Sequence, residues 1–244
     1  VARGIAAALV VLALLVELTA SLGGRQRAYS ADVYLKHTAE LIDWFRREDM
    51  RGQTVLANFT IGPMLMAYSG TNLVLQPQFG MEPIRRPVEE YLNIFYHQNE
   101  RALSGFCSRY GAKYFIYDHG SLGPLHPYSS AYIANAVNIR RTAPAYRMYY
   151  EARKMTDFYP VTPPADLRDL SVKYTVFRVV TFDERMEAIG LLNRAEKALR
   201  ERSRAEALRL LKESLNLDPC SPEARRLFRR LCGRMPRIGL KDVQ

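Results

Sequence analysis

The chain has 244 residues, 48% of them hydrophobic and 25% charged, the mixture of a folded chain with a sizeable core, which excludes wholesale disorder. Its 35 basic and 25 acidic residues leave a formal charge of +10, so charge alone admits acidic proteins, anionic lipid head groups and nucleic acid as partners. Three cysteines, Cys107, Cys220 and Cys232, are too few and too odd in number for a disulfide framework, and no pair has metal-ligand spacing.

From Gly4 to Leu22 the chain reads GIAAALVVLALLVELTASL, with one charge, Glu17. A hydrocarbon core of roughly 30 Å needs about 20 helical residues, so residues 1–28 are expected to hold a single transmembrane anchor. A cleaved signal peptide with Leu18-Thr19-Ala20 as an imperfect cleavage site competes with this reading. The apolar run exceeds an ordinary signal core and Glu17 interrupts it, which favours the span. Glu17 either snorkels to the interface or marks a helix-packing face inside a complex, because an acid in hydrocarbon costs a few kcal/mol. Arg3 opposes Arg25 and Arg27, so flanking charge leaves the orientation nearly balanced.

Residues 29–181 read as a small α/β domain. Ser30 caps a helix that runs from Asp32 to Asp49, with Val33, Leu41, Ile42 and Phe45 at helical spacing and Gly52 beyond its end. Thr54 to Ala57 is a short apolar run of the buried-strand type, Ile61 to Tyr68 a short helix, and Asn72 to Leu75 a second strand. Pro87 suits the first turn of a helix carrying Val88, Tyr91, Leu92 and Phe95. Another helix is expected over Asn99–Tyr110, then a third strand over Lys113–Tyr117. Strand, helix, strand, helices, strand predicts a mainly parallel three-stranded sheet. Ser121 to Pro144 reads as an irregular excursion with a helix over Ser130–Ile139. The aromatic and β-branched runs Tyr146–Tyr150 and Tyr174–Val180 read as an added antiparallel hairpin, with Tyr159 to Pro164 as turn or extended chain between them.

Residues 182–244 turn to Ala, Leu, Arg and Glu, with 15 basic and 10 acidic residues. Leu191, Ala195, Ala198 and Leu199 form one apolar stripe; Ala207, Leu208, Leu211, Leu215 and Leu217 form a second, closed by Pro219. A third helix is expected from Ser221 or Pro222 to Cys232. Through Ala195, Ala198, Ala207, Leu211 and the closing Asn216-Leu217-Asp218-Pro219, the stretch Leu191 to Pro219 resembles a tetratricopeptide repeat, which implies a protein-interaction role. One such unit cannot bury both faces, so it must dock on its own α/β domain or on a partner chain. Arg225, Arg226, Arg229 and Arg230 recur at helical spacing as a basic ridge, read either as a solvated face or as a contact for lipid phosphate or an acidic partner. No aromatic residues interleave with them, which argues against nucleic acid.

The motifs of catalysis are missing: there is no GxGxxG, no GxxxxGK[ST], no HExxH and no GxSxG. The sharpest polar set is Asp118 and His119 at the end of the third strand, with His126 a few residues on, a candidate ligand or metal site because α/β domains bind ligands at the carboxyl edge of parallel strands. No cofactor is expected.

The anchor followed by Trp44-Phe45-Arg46-Arg47, the strand-turn-helix Val55-Leu56-Ala57-Asn58…Gly62…Tyr68-Ser69-Gly70, and Tyr110-Gly111-Ala112-Lys113-Tyr114-Phe115-Ile116-Tyr117-Asp118 resemble the extracytoplasmic domain after the last span of multi-pass, lipid-linked-sugar glycosyltransferases of the GT-C type. That resemblance implies an extracytoplasmic domain. Such enzymes carry their catalytic acids between early spans, and this chain has one span. The sequence is therefore expected to belong to a non-catalytic, single-pass membrane subunit that contacts and stabilises partner proteins of a larger complex at the membrane surface, or else to the carboxyl-terminal extracytoplasmic domain, or a cut-down relative, of such a glycosyltransferase.

Overall fold

The computed structural model describes residues 35–77, 80–122, 129–161 and 173–233. The expected span at 4–22, with Glu17, lies outside them. Among the described residues no helix is long and apolar enough to cross a membrane. The chain divides into two compact units, Val1–Leu41 and Ile42–Gln244. Residues 35–47 belong to α1; its described turn in the first unit pairs His37 Nδ1 with Glu40 Oε2 at 3.3 Å.

In the second unit β1 (Thr54–Leu56), β2 (Asn72–Leu73), β3 (Tyr114–Asp118), β4 (Phe158–Pro160) and β5 (Tyr174–Val179) form one sheet in the order β2-β1-β3-β5-β4. β1 is parallel to β2 and β3, whereas β5 is antiparallel to β3 and β4. The parallel three-stranded part is thus present, extended by an antiparallel pair into a mixed sheet. Every residue of β5, and all of β3 but its last, is buried. Their near-continuous apolar reading follows from cover on both faces.

Period-two alternation sorts the side chains. Phe115, Tyr117, Phe158, Phe177 and Val179 join one core with residues of α3 (Glu82–His97), α4 (Glu100–Arg109), α5 (Ser130–Ile133) and α6 (Pro144–Tyr150). Tyr91 and Phe95 of α3 stack at 5.3 Å, and Phe95 meets Phe115 at 5.8 Å. Asn99 caps α4 by accepting the Ala102 N–H at 3.0 Å. α2 (Gly62–Ser69) ends at Gly70, whose φ of 69° favours glycine.

Four expectations are corrected. Tyr146–Tyr150 belongs to α6, because Pro144 occupies its first turn and Ala145 and Met148 share the buried face. The strand partner of β5 is instead Phe158–Pro160, where proline sits on an edge strand that leaves its missing N–H harmless. α3 begins at Glu82, with Pro83 in its first turn and Pro87 inside it, and α5 stops at Ile133 rather than Ile139.

The tail folds as α7 (Phe182–Arg200), α8 (Arg204–Leu217) and α9 (Pro222–Cys232). Thr181 and Glu184 close a reciprocal capping box on α7, with Glu184 Oε2 accepting the Thr181 N–H at 2.8 Å and Thr181 Oγ1 accepting the Glu184 N–H at 3.2 Å. Ala195, Ala198, Ala207, Leu211 and Pro219 are buried; Leu191 is half-buried and packs against the cluster that Leu192 and Leu210 join. The tail docks on its own sheet. Arg178 of β5, 4% exposed, points to the face opposite Phe177 and donates to the Asn216 carbonyl, to the Leu217 carbonyl at 3.1 Å and to Glu184 Oε1 at 2.9 Å. These are the last carbonyls of α8, where a cation is favoured by the helix dipole.

Candidate functional site

Asp118 and His119 sit where the sequence placed them, at the end of β3, and their polar groups face one another's neighbours. Asp118 Oδ1 accepts the Gly120 N–H at 2.8 Å; His119 Nε2 lies 2.8 Å from Thr175 Oγ1, and the His119 backbone N–H donates to the Lys173 carbonyl at 2.8 Å. Burial raises the Asp118 carboxyl above its ordinary range, against the pull of the Gly120 N–H and Lys173, and burial lowers the His119 imidazole. His119 also packs against Tyr117 and Tyr149, with ring centroids 5.1 and 5.9 Å away. His126 lies outside the described residues, and among the described residues no three His, Cys, Asp or Glu side chains cluster as metal ligands do.

On α9, Arg226, Arg229 and Arg230 are exposed, while Arg225 turns inward with its guanidinium 5.3 Å from the centre of the Tyr159 ring. The ridge therefore presents three cations to solvent, and its fourth member fastens α9 to the edge strand.

Among the described residues a cleft of about 1030 Å³ lies elsewhere, bounded by α4, α6 and the residues before it, the approach to β4 and the start of α7. Four arginines line it, Arg101, Arg141, Arg147 and Arg185, against three carboxylates, Glu100, Glu151 and Asp157. Glu100, 5% exposed, organises one wall: its Oε2 accepts from Arg147, and its Oε1 accepts the backbone N–H groups of Thr156 at 2.7 Å and Asp157 at 2.6 Å. Arg185 forms the other wall, donating to Asp157 Oδ1 at 2.8 Å, to the Thr156 carbonyl at 2.7 Å and to Asp218 Oδ2 at 3.3 Å. Burial holds the Asp218 carboxyl above its ordinary range while Arg185 draws it down. Arg101 and Arg141 are exposed and make no ion pair among the described residues.

Phe182, 71% exposed, forms the lip of this cleft, and Met186 and Ile189 continue the same face of α7 at 51% and 44%. Spacing of four and three residues puts the three on one stripe. The opposite face of α7 buries Ala188, Leu192, Ala195 and Ala198. Sequence reasoning passed over the cleft because Glu100, Arg147 and Arg185 are far apart in the chain; a signal was available in Arg178 and Glu100, charges inside otherwise apolar, buried patterns.

These elements define a mixed α/β protein with a helical tail and an arginine-rich cleft. No known family model matches the chain, and no curated protein matches it. Among solved structures it is similar to the C-terminal globular domain of an oligosaccharyltransferase from Archaeoglobus fulgidus, at 13% identity and a TM-score of 0.39, over 58% of this chain and 95% of that one. The likeness is partial, and at that score it sets no function.

Proposed function

We propose that this chain is a non-catalytic, single-pass membrane subunit whose extracytoplasmic α/β body and helical tail hold partner proteins of a larger complex at the membrane surface. The observation that carries this reading is the stripe of Phe182, Met186 and Ile189. Three large apolar side chains stand exposed on one face of α7, while the opposite face is buried. A contiguous exposed apolar face rimmed by charge is the usual mark of a protein-interaction surface. The apolar segment 4–22 supports the anchor. Anionic lipid head groups are a second contact, on Arg226, Arg229 and Arg230.

Purification of the full chain in mild detergent tests this. The chain is expected to stay with the membrane fraction through a carbonate wash and to migrate well above its 27.9 kDa with co-purifying proteins. A Met186→Glu, Ile189→Glu variant is expected to fold normally and lose those proteins. A lone native monomer overturns the reading.

The second reading, the carboxyl-terminal extracytoplasmic domain of a lipid-linked-sugar glycosyltransferase, rests on the sequence resemblance through Trp44–Arg47, Val55–Asn58 and Tyr110–Asp118. Further hydrophobic spans encoded upstream of Val1 in the same reading frame would favour it.

A further inference from the structure

Deepening the partner-binding reading, on which it rests, we infer that the cleft between α4, α6 and the start of α7 is the docking site for an extended acidic segment of a partner protein. Carboxylates of that segment would meet Arg101 and Arg141, and an apolar side chain would meet Phe182.

Charge sorts the four arginines into two roles. Arg147 and Arg185 are held by Glu100, Asp157 and Asp218 and serve as walls. Arg101 and Arg141 line the same cleft and find no acid among the described residues, so the surplus positive charge of the cleft sits on exposed, adaptable side chains. A planar guanidinium on such a rim suits a bidentate carboxylate. The two therefore supply complementarity to an acidic partner rather than internal stability.

Shape narrows the occupant. The α4 side of the cleft is paved with small residues, Ser104, Gly105 and Ser108, and a methyl group added at Gly105 would meet nothing within 4 Å. A backbone can lie close against such a floor. The ten residues of α4 are about 15 Å long at 1.5 Å per residue, the length of roughly five extended residues at 3.3 Å each. A volume of about 1030 Å³ exceeds what one small anion fills, and Val180 with Phe182 gives the far wall an apolar anchor point.

The probe is a fluorescein-labelled decapeptide of alternating glutamate and leucine, titrated by anisotropy against the full chain in neutral detergent. Its counterpart with glutamine for glutamate is the control. The acidic peptide is expected to bind with a Kd on the order of 10 µM and the glutamine peptide at least tenfold more weakly. An Arg101→Glu, Arg141→Glu variant is expected to lose at least tenfold at unchanged Tm, and Phe182→Ala about threefold. Equal binding of the two peptides, no effect of the double reversal, or no binding of the acidic peptide up to about 1 mM overturns the assignment. Vesicles of phosphatidylglycerol form a separate arm: if the double reversal abolishes vesicle binding and leaves peptide binding intact, the cleft is a lipid contact and the assignment fails. Failure here is distinct from failure of the subunit reading. A lone monomer that still discriminates the peptides keeps the cleft assignment and sinks that reading; an intact complex with no peptide binding does the reverse.

Discussion

Replacing Arg178 with leucine removes a side chain that joins β5 to both α7 and the end of α8. Its guanidinium is 4% exposed and donates to Asn216, Leu217 and Glu184. Breaking a buried ion pair by deleting one partner costs about 3–5 kcal/mol. Glu184 keeps solvent access and two further donors, Thr181 N at 2.8 Å and Thr181 Oγ1 at 3.0 Å, so its orphaning is mild. The two helix-terminal carbonyls lose a charged donor, and the leucine recovers part of the loss through apolar burial. The expected net cost is about 3 kcal/mol, toward the lower end of that range. At about 2–4 °C per kcal/mol for a unit of this size, Tm falls by roughly 6–12 °C. Urea unfolding by circular dichroism reads the free energy, and hydrogen exchange shows whether α7 and α8 lose protection before the sheet. Arg178→Lys keeps the charge without the fork and is expected to fall between. A leucine variant within about 0.5 kcal/mol of the native chain refutes the view that this residue locks the tail.

Glu100→Ala strands the N–H groups of Thr156 and Asp157 and leaves Arg147 with Glu151 at 3.7 Å and the Lys154 carbonyl at 3.2 Å, so we expect a loss of about 2–4 kcal/mol; in a double-mutant cycle with Arg147→Met, chemical denaturation should show coupling above about 1 kcal/mol, and strict additivity would deny the pair. His119 is lowered by burial, so the unfolded chain binds the proton more readily. Its contribution is full above the unfolded value near 6.5 and is lost as pH falls toward the lower folded value; His119→Gln should flatten the pH dependence of Tm in that window, and an unchanged slope would show that the ring does not titrate there. Leu211 is fully buried between α7 and α8, so Leu211→Ala should cost about 2–5 kcal/mol by urea titration, against less than about 0.5 for the exposed Met186→Ala.

Most of the element order was legible, and the failures have identifiable causes. The apolar runs of β1, β3 and β5 and the three tail helices announce themselves through burial pattern, whereas Asn99, expected inside its helix, caps it. The run Tyr146–Tyr150 misleads because aromatic residues favour strands, whereas the preceding Pro144 and the three-residue spacing of Ala145 and Met148 decide for a helix. β4 is three residues long and ends in proline, too short for any period to show. Asp118 and His119 were correctly placed at a strand end, which geometry then fills with local hydrogen bonds. The cleft was illegible for a different reason: its walls are contacts between residues about fifty positions apart, such as Glu100 with Arg147 and Asp157, and no local pattern encodes them.

The guanidinium of β5 that closes the end of α8 has an evolutionary and engineering corollary. The two halves are not separable cassettes: a helical tail docked on another sheet would bury its last carbonyls without their charged donor, and a sheet stripped of its tail would lose every acceptor that Arg178 reaches in α7 and α8. Recombination or truncation near residue 181 should therefore yield destabilised halves, and donors that supply the arginine together with its acceptors should give the more stable chimeras.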